Sequence, residues 1–187
     1  MPEPRMRCAA ALLCAIACAA HADEAKPATP DVHAPLAMEA GTWDVAVDFL
    51  DPATGAPNGS AKGRQVNTLL ANGHWIANDL QIWGADGRSV DFAGHGTWGW
   101  DAVAKEYVDA WVDTNDGPMR IDHGFWVPDQ QALYWTAQQP DGAGHMVTYR
   151  MTETFAGDAR RLEFFQVALQ SGRQVKLAEM RFKRVRP

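Results

Sequence analysis

From Trp43 onward, apolar and polar residues alternate with a period of two, and turn-forming residues cut the alternation at roughly every 12 to 16 positions. In the first run, Trp43, Val45, Val47 and Phe49 alternate with Asp44, Ala46 and Asp48. Only an extended chain sends successive side chains to opposite faces, so this run predicts a strand with one face buried. The breaker-rich segment from Asp51-Pro52 to Asn58-Gly59 ends it. Further strands are predicted at about Ala61 to Leu70, His74 to Trp83, Ser89 to Trp100, Glu106 to Thr114 and Met119 to Val127. The series continues with Ala132 to Gln138, His145 to Phe155, Arg161 to Leu169 and Gln174 to Val185. No helix-period segment of useful length interrupts it, although Leu36 to Ala40 has room for one short helical turn leading into Gly41.

Ten strands linked by hairpins must dispose of two sheet edges. Closing the sheet on itself removes both, whereas an open sheet exposes ladder groups to other chains. The expected fold class is therefore all-β, a single antiparallel up-and-down barrel of about ten strands. A two-sheet sandwich is the alternative built from the same strands. Short sequential hairpins favour the barrel, and a barrel near this strand number has room for one small ligand.

Upstream of the alternation the chain reads as a targeting segment. Arg5 and Arg7 precede an apolar run of about 13 residues, Cys8 to Ala20, and Ala20-His21-Ala22 fits a signal-peptidase site. The run is shorter than the ~20 residues a membrane-spanning helix needs. Residues 1–22 are thus expected to be a removed signal peptide, 23–35 a flexible leader and 36–187 the barrel. The expected location is periplasmic or secreted, and lipidation at Cys18 is the rival processing route.

All three cysteines (Cys8, Cys14 and Cys18) fall within the expected signal. A chain cut before Asp23 has no disulfide, catalytic thiol or cysteine metal ligand to offer. It must be held by its core, to which eight Trp and seven Phe contribute. The same cut leaves 15 basic and 22 acidic residues, a net charge of about −7. That sign argues against nucleic acid as a partner.

With Gly41-Thr42-Trp43 at the first strand, the chain resembles lipocalin-type (calycin) barrels, which carry Gly-x-Trp there and a basic residue on the last strand across the Trp ring. The resemblance implies that Arg184 or Arg186 covers Trp43 through a cation–π contact worth ~0.5–2 kcal/mol. A closer resemblance is to exported bacterial proteins catalogued as domain of unknown function 1579. It rests on His33, Leu36 and Gly41-Thr42-Trp43, then Gly73-His74-Trp75-Ile76, then Gly94-His95-Gly96 with Trp100-Asp101. Lys105-Glu106-Tyr107-Val108, Trp111-Val112-Asp113 and Arg150 to Phe155 complete it, so the match runs from about His33 to Arg184. This resemblance implies a lipocalin-like barrel and no established activity.

Chemistry-bearing motifs are sparse. His74, His95, His123 and His145 lie on predicted strands without His-x-His or His-x-x-x-His spacing, so no metal site is expected. Alternation groups His123 with Ile121 and Phe125 on the presumed inner face, and His74 with Ile76 and Leu80, while His95 falls outside. Strands nine and ten hold no histidine to ligate a haem. No Gly-x-Ser-x-Gly elbow is present, and the Gly94-His95-Gly96 piece precedes no helix, so it predicts a sharp bend of the strand or bulky neighbours admitted across the barrel rather than a phosphate cradle.

The ionisable residues offer more. Trp111 and Asp113 share a face with Tyr107 and Asp109, and Arg150 and Glu179 stand in alternating apolar surroundings. Buried charges must be paired, so an internal Asp–Arg bridge is expected, and such a pair also serves as an anchor for a ligand head group. The expected function is that of an exported binding protein with a small apolar or amphipathic molecule as partner. Trp111, His123, Trp135 and Tyr149 would line its cavity, with Asp113 and Arg150 as anchors and no cofactor. The alternatives are a fully packed envelope interaction protein and, third, an enzyme using the same polar lining.

Overall fold

The computed structural model describes residues 31–186 apart from 71, 116, 141–143 and 169–170. The expected signal segment and its Cys18 alternative lie outside the described residues. Ten strands follow one short helix: α1 (Ala34–Glu39), β1 (Gly41–Leu50), β2 (Pro57–Leu69), β3 (Trp75–Trp83), β4 (Val90–Asp101) and β5 (Glu106–Asp113). Then come β6 (Arg120–Val127), β7 (Ala132–Pro140), β8 (Met146–Ala156), β9 (Ala159–Val167) and β10 (Gln174–Arg184), with a single 3₁₀ turn at Pro128–Gln130. Every strand pairs antiparallel with its sequence neighbours, and β1 pairs with β10, from Trp43↔Arg184 to Phe49↔Ala178, to close the barrel. The closed meander is the expected one, and closure leaves no edge strand to pair with another chain.

Turn chemistry sets the hairpins. Asp51, Asp86 and Asp101 each accept two backbone N–H bonds from the next few residues, through Oδ1. These bonds favour the charged form, and for each the backbone hydrogen bonds hold the carboxyl below its ordinary range. Strand β2 begins at Pro57, earlier than the predicted Ala61, because Leu50 finds a partner at Pro57 past an irregularity after Asp48.

A helix of six residues has little stability of its own, and α1 has no side-chain N-cap. It is held by what it plugs. Leu36 is fully buried in a cluster with Ile76, Trp98, Tyr107 and Leu133. Its C-terminal carbonyls are met from the barrel: Trp43 Nε1 donates to Glu39 O at 2.8 Å, and Arg184 donates to Met38 O at 2.6 Å and to Ala40 O. A cation at these carbonyls also complements the helix dipole. The Arg184 guanidinium carbon lies 4.1 Å from the centroid of the Trp43 ring, while Arg186 pairs outside with Asp158. Arg184 is thus the residue that covers Trp43. Gly41 is required twice: its φ is +122°, and a Cβ there would stand 2.7 Å from Arg184 Nη1. Upstream, Tyr107 Oη donates to Val32 O at 2.8 Å, and Ala34 and Pro35 are helical, so the end of the expected leader packs as part of the domain.

Candidate functional site

The plug closes one end of the barrel. From Glu39 at that end, a cavity of about 430 Å³ runs to Phe49, Phe92 and Asn115 at the other. Its walls are inner-face residues of the strands, and two glycines shape it. A Cβ on Gly94 would fall 2.1 Å from Trp111 Cζ2, and one on Gly96 would fall 2.9 Å from Trp111 Cε3. The bare backbone of β4 lets the indole lie against it, so the bulky neighbour admitted by the Gly94-His95-Gly96 piece comes from the adjacent strand β5 rather than from across the barrel. Trp111 Nε1 donates to Asp113 Oδ2 at 2.8 Å, which fixes the ring's rotation.

Of the expected lining, Trp111, Asp113, Trp135 and Tyr149 stand on the cavity wall. His123 and Arg150 do not. On β6 the inner residues are Asp122 and Gly124, while Ile121, His123 and Phe125 are exposed. Two contacts decide this register. A Cβ on Gly124 would lie 2.5 Å from the Trp135 ring, so only glycine fits inside there, and Trp126 packs with its edge on Phe155 at 5.8 Å. Phe125 compensates by stacking on Tyr134 outside, at 5.3 Å between centroids, and His123 Nδ1 meets Glu106 at 2.9 Å. Arg150 is exposed because its neighbours Tyr149 and Met151 take the inner face of β8, and consecutive strand residues face opposite ways. Glu179 faces outward too, where hydrogen bonds from Arg161 and Lys176 hold it down at about 2. His74 falls just before β3, exposed and edge-on to His33 at 4.8 Å.

An internal Asp–Arg bridge exists, but between other residues. Arg120 donates from Nε to Asp122 Oδ1 at 2.7 Å and from Nη2 to Oδ2 at 2.9 Å, a bidentate pair on one strand. Asp122 is the cross-strand partner of Asp109 on β5, so two carboxylates face each other on the inner wall. Asp109 Oδ1 is buried without a hydrogen-bond partner. Burial, with the Asp122 charge second, pushes Asp109 up to about 7.

Beneath these, at the plug, Arg160 is enclosed by Glu39, Glu153 and Gln65. It donates to Glu153 Oε1 at 2.7 Å and also to Glu39 Oε1 and Gln65 Oε1. Its guanidinium carbon lies 3.8 Å from the Phe182 centroid and 5.2 Å from that of Trp43. One cation between two carboxylates does not neutralise both. Burial pushes Glu39 up to about 8, offset only in part by Arg160, with Glu153 adding repulsion. Glu153 is likewise raised by burial. A group near 7 and another near 8 inside a cavity are in the range where protons exchange at neutral pH.

Sequence reasoning missed Glu39, Asp109 as the central group, Arg120, Asp122, Glu153 and Arg160. The one available signal was hairpin arithmetic. Placing the turn between Asp113 and Arg120 sets Asp109 opposite Asp122 and Trp111 opposite Arg120.

Residues 28–184 match a family described as "Protein of unknown function (DUF1579)". The chain belongs to that family. Its barrel superposes on the crystal structure of Rv2717c from M. tuberculosis with a TM-score of 0.62, at 13% identity, covering 84% of this chain and 99% of that one. At that identity the likeness is one of fold. No curated protein matches the chain.

Proposed function

We propose that this DUF1579 protein is a binding protein that holds one small apolar or amphipathic molecule inside its barrel. The observation that carries the reading is the cavity of about 430 Å³, plugged at one end by α1 and walled mainly by apolar side chains with a few convergent polar groups. That volume and mixture are typical of small-molecule sites. Leu80, Trp98, Trp135, Met151 and Phe164 supply the apolar wall, and Asp109, Asp113 and Asn78 the polar one. A barrel acting only through its loops has no use for a cavity of this size lined by carboxyl groups, whose burial costs stability.

The basic, apolar and small-residue order of residues 1–22 supports export of the mature domain to the periplasm or medium. Mass measurement of the mature N-terminus checks this: a start at Asp23 is expected, and a diacylglycerol adduct on Cys18 would replace cleavage by lipidation.

Native mass spectrometry of protein purified from its own host tests the binding reading, with a co-purifying small molecule as the expected result. A bare mass, together with unchanged tryptophan fluorescence across a panel of lipids, alcohols, amines and aromatic compounds, would overturn it.

A further inference from the structure

The charges on the cavity wall are unbalanced. Its ionisable lining comprises five carboxyl groups (Glu39, Asp109, Asp113, Asp122 and Glu153) and two guanidiniums, Arg120 and Arg160. Both guanidiniums are committed. Arg120 is chelated by Asp122, and Arg160 is surrounded by Glu39, Glu153 and Gln65. Three of the five N–H groups of Arg160 are used in these bonds, Nε has no partner, and the guanidinium is packed against the rings of Phe182 and Trp43. An anionic head group entering this cavity meets surplus negative charge and no uncommitted cation among the described lining residues.

The unpartnered lining oxygens point the other way. Asp109 Oδ1 and Asn78 Oδ1 are buried acceptors, and Glu39 Oε2 a third buried oxygen, without a hydrogen-bond partner among the described residues. Two of them converge. The point that a Cβ would occupy on Gly96 is 3.0 Å from Asp109 Oδ1 and 3.4 Å from Asn78 Oδ1. The Trp111 ring closes that point itself at 2.9 Å, so a bound group sits in the cavity beside it, against the two oxygens and the ring. A carboxylate, an amide oxygen and an indole around a side-chain-free stretch of strand form the surroundings that suit an N–H-bearing cation. Such a group fills the acceptors, cancels the surplus charge and is attracted by the aromatic ring. Among the described residues, no group of three or more His, Cys, Asp or Glu is arranged to hold a metal ion, so an organic cation fits better than an inorganic one.

We propose that the ligand of this cavity is an organic cation, an ammonium or amidinium group on an apolar body, bound through its N–H groups by Asp109 and Asn78 beside Trp111. This deepens the binding reading above and rests on it. The apolar body extends along Leu80, Trp98, Trp135 and Met151. The charged groups that act on Asp109 are Asp122 and Arg120 from β6 and Glu153 from β8, with Asp113 on its own strand lining the same cavity and His95 acting from the outer face of β4, where it pairs with Asp79. With Asp109 raised to about 7, binding a cation below that pH expels a proton. Affinity for an amine therefore rises between about pH 6 and 8, while affinity for a neutral analogue stays flat.

The test is a matched series of n-octylammonium, n-octanol and n-octanoate, titrated by tryptophan fluorescence and calorimetry against the full mature chain. At pH 7.5 the ammonium is expected to bind at least about tenfold tighter than the alcohol, the scale of hydrogen bonds to a buried charge. The carboxylate is expected to bind weakest. In Asp109→Asn, which keeps the shape and removes the charge, ammonium and alcohol should bind alike. Calorimetry in two buffers of different ionisation enthalpy should register proton release for the ammonium alone. Alcohol or carboxylate binding as tightly as ammonium would overturn the cation assignment and leave the binding reading standing. Failure of all three, and of the wider panel, would sink both.

Discussion

One guanidinium, that of Arg184, both closes the carbonyl end of α1 and covers the Trp43 ring, and substitution separates these roles. Arg184→Met removes the donors to Met38 O and Ala40 O as well as the charge over the indole, and is expected to cost about 2–4 kcal/mol in denaturant unfolding. Arg184→Lys keeps the charge but not the two-pronged geometry, so it should recover only part of that loss. In the cavity the two aspartates should behave oppositely. Asp122→Ala orphans the buried Arg120 and is expected to cost about 3–5 kcal/mol. Asp109→Asn removes a buried like charge and should stabilise the free protein by roughly 1–3 kcal/mol at pH 8. Glu39 and Asp109 also set a pH dependence. Both are raised when folded, from ordinary values of 4.5 and 3.8 to about 8 and about 7, so folding takes up protons between those limits. Their contribution is complete below the lower values and is lost as pH rises through the higher ones. Thermal melts should therefore show Tm falling from about pH 5 to pH 9, less steeply in Asp109→Asn. These residues were the least legible in the sequence. A period-two pattern reveals a buried face by its apolar residues, so Asp122, next to His123, fell on the outer face, and Arg160 stood just outside the predicted ninth strand. Ile121 and Phe125 pulled His123 inward by the same logic, although Gly124 had to face Trp135.

At the scale of elements, the strands and their order were readable because ten alternating runs with turn residues between them leave few topologies. Boundaries moved outward where backbone pairing outlasted the pattern, as at Pro57, and inward by a residue or two where pairing stopped short of it, as at Met119 and Thr114. The plug was legible in outline: a helical turn before Gly41 was visible, but its anchoring is written in Tyr107 and Arg184, far along the chain. Leu36→Ala tests how much the helix matters. Leu36 is fully buried, so truncation is expected to cost about 2–5 kcal/mol and to loosen the closed end. The pair β4 and β5 offers a contrasting test at the site. Gly94→Val places a branched side chain where Trp111 Cζ2 lies 2.1 Å from the first added carbon. The indole must then swing into the cavity, so a changed fluorescence maximum and loss of ligand response are expected, with strands β1 and β10 unaffected in hydrogen exchange.

At the scale of the whole molecule, the barrel is a single circuit in which each strand hydrogen-bonds to the one made just before it, except at the junction of β1 and β10. That junction joins Trp43 to Arg184, nearly the full length of the domain apart. Bringing such distant segments together is slow compared with forming a hairpin. A chain stopped at residue 173 retains nine strands, but the partner of β1 and the cover of Trp43 are gone. It is expected to be aggregation-prone, as size-exclusion chromatography of the truncated chain would show. Restoring β10 as a separate peptide should rescue the monomer if the seam is all that is missing.

The position of Arg184 in the chain carries a consequence for biosynthesis. The first element of the domain is completed by a residue of its last strand, because both α1 and Trp43 wait for Arg184. Closure of the barrel is therefore deferred until β10 has emerged, and the nascent domain stays open up to that point. Arrested nascent chains should accordingly stay protease-sensitive at every length short of β10 and become resistant in one step once it has emerged.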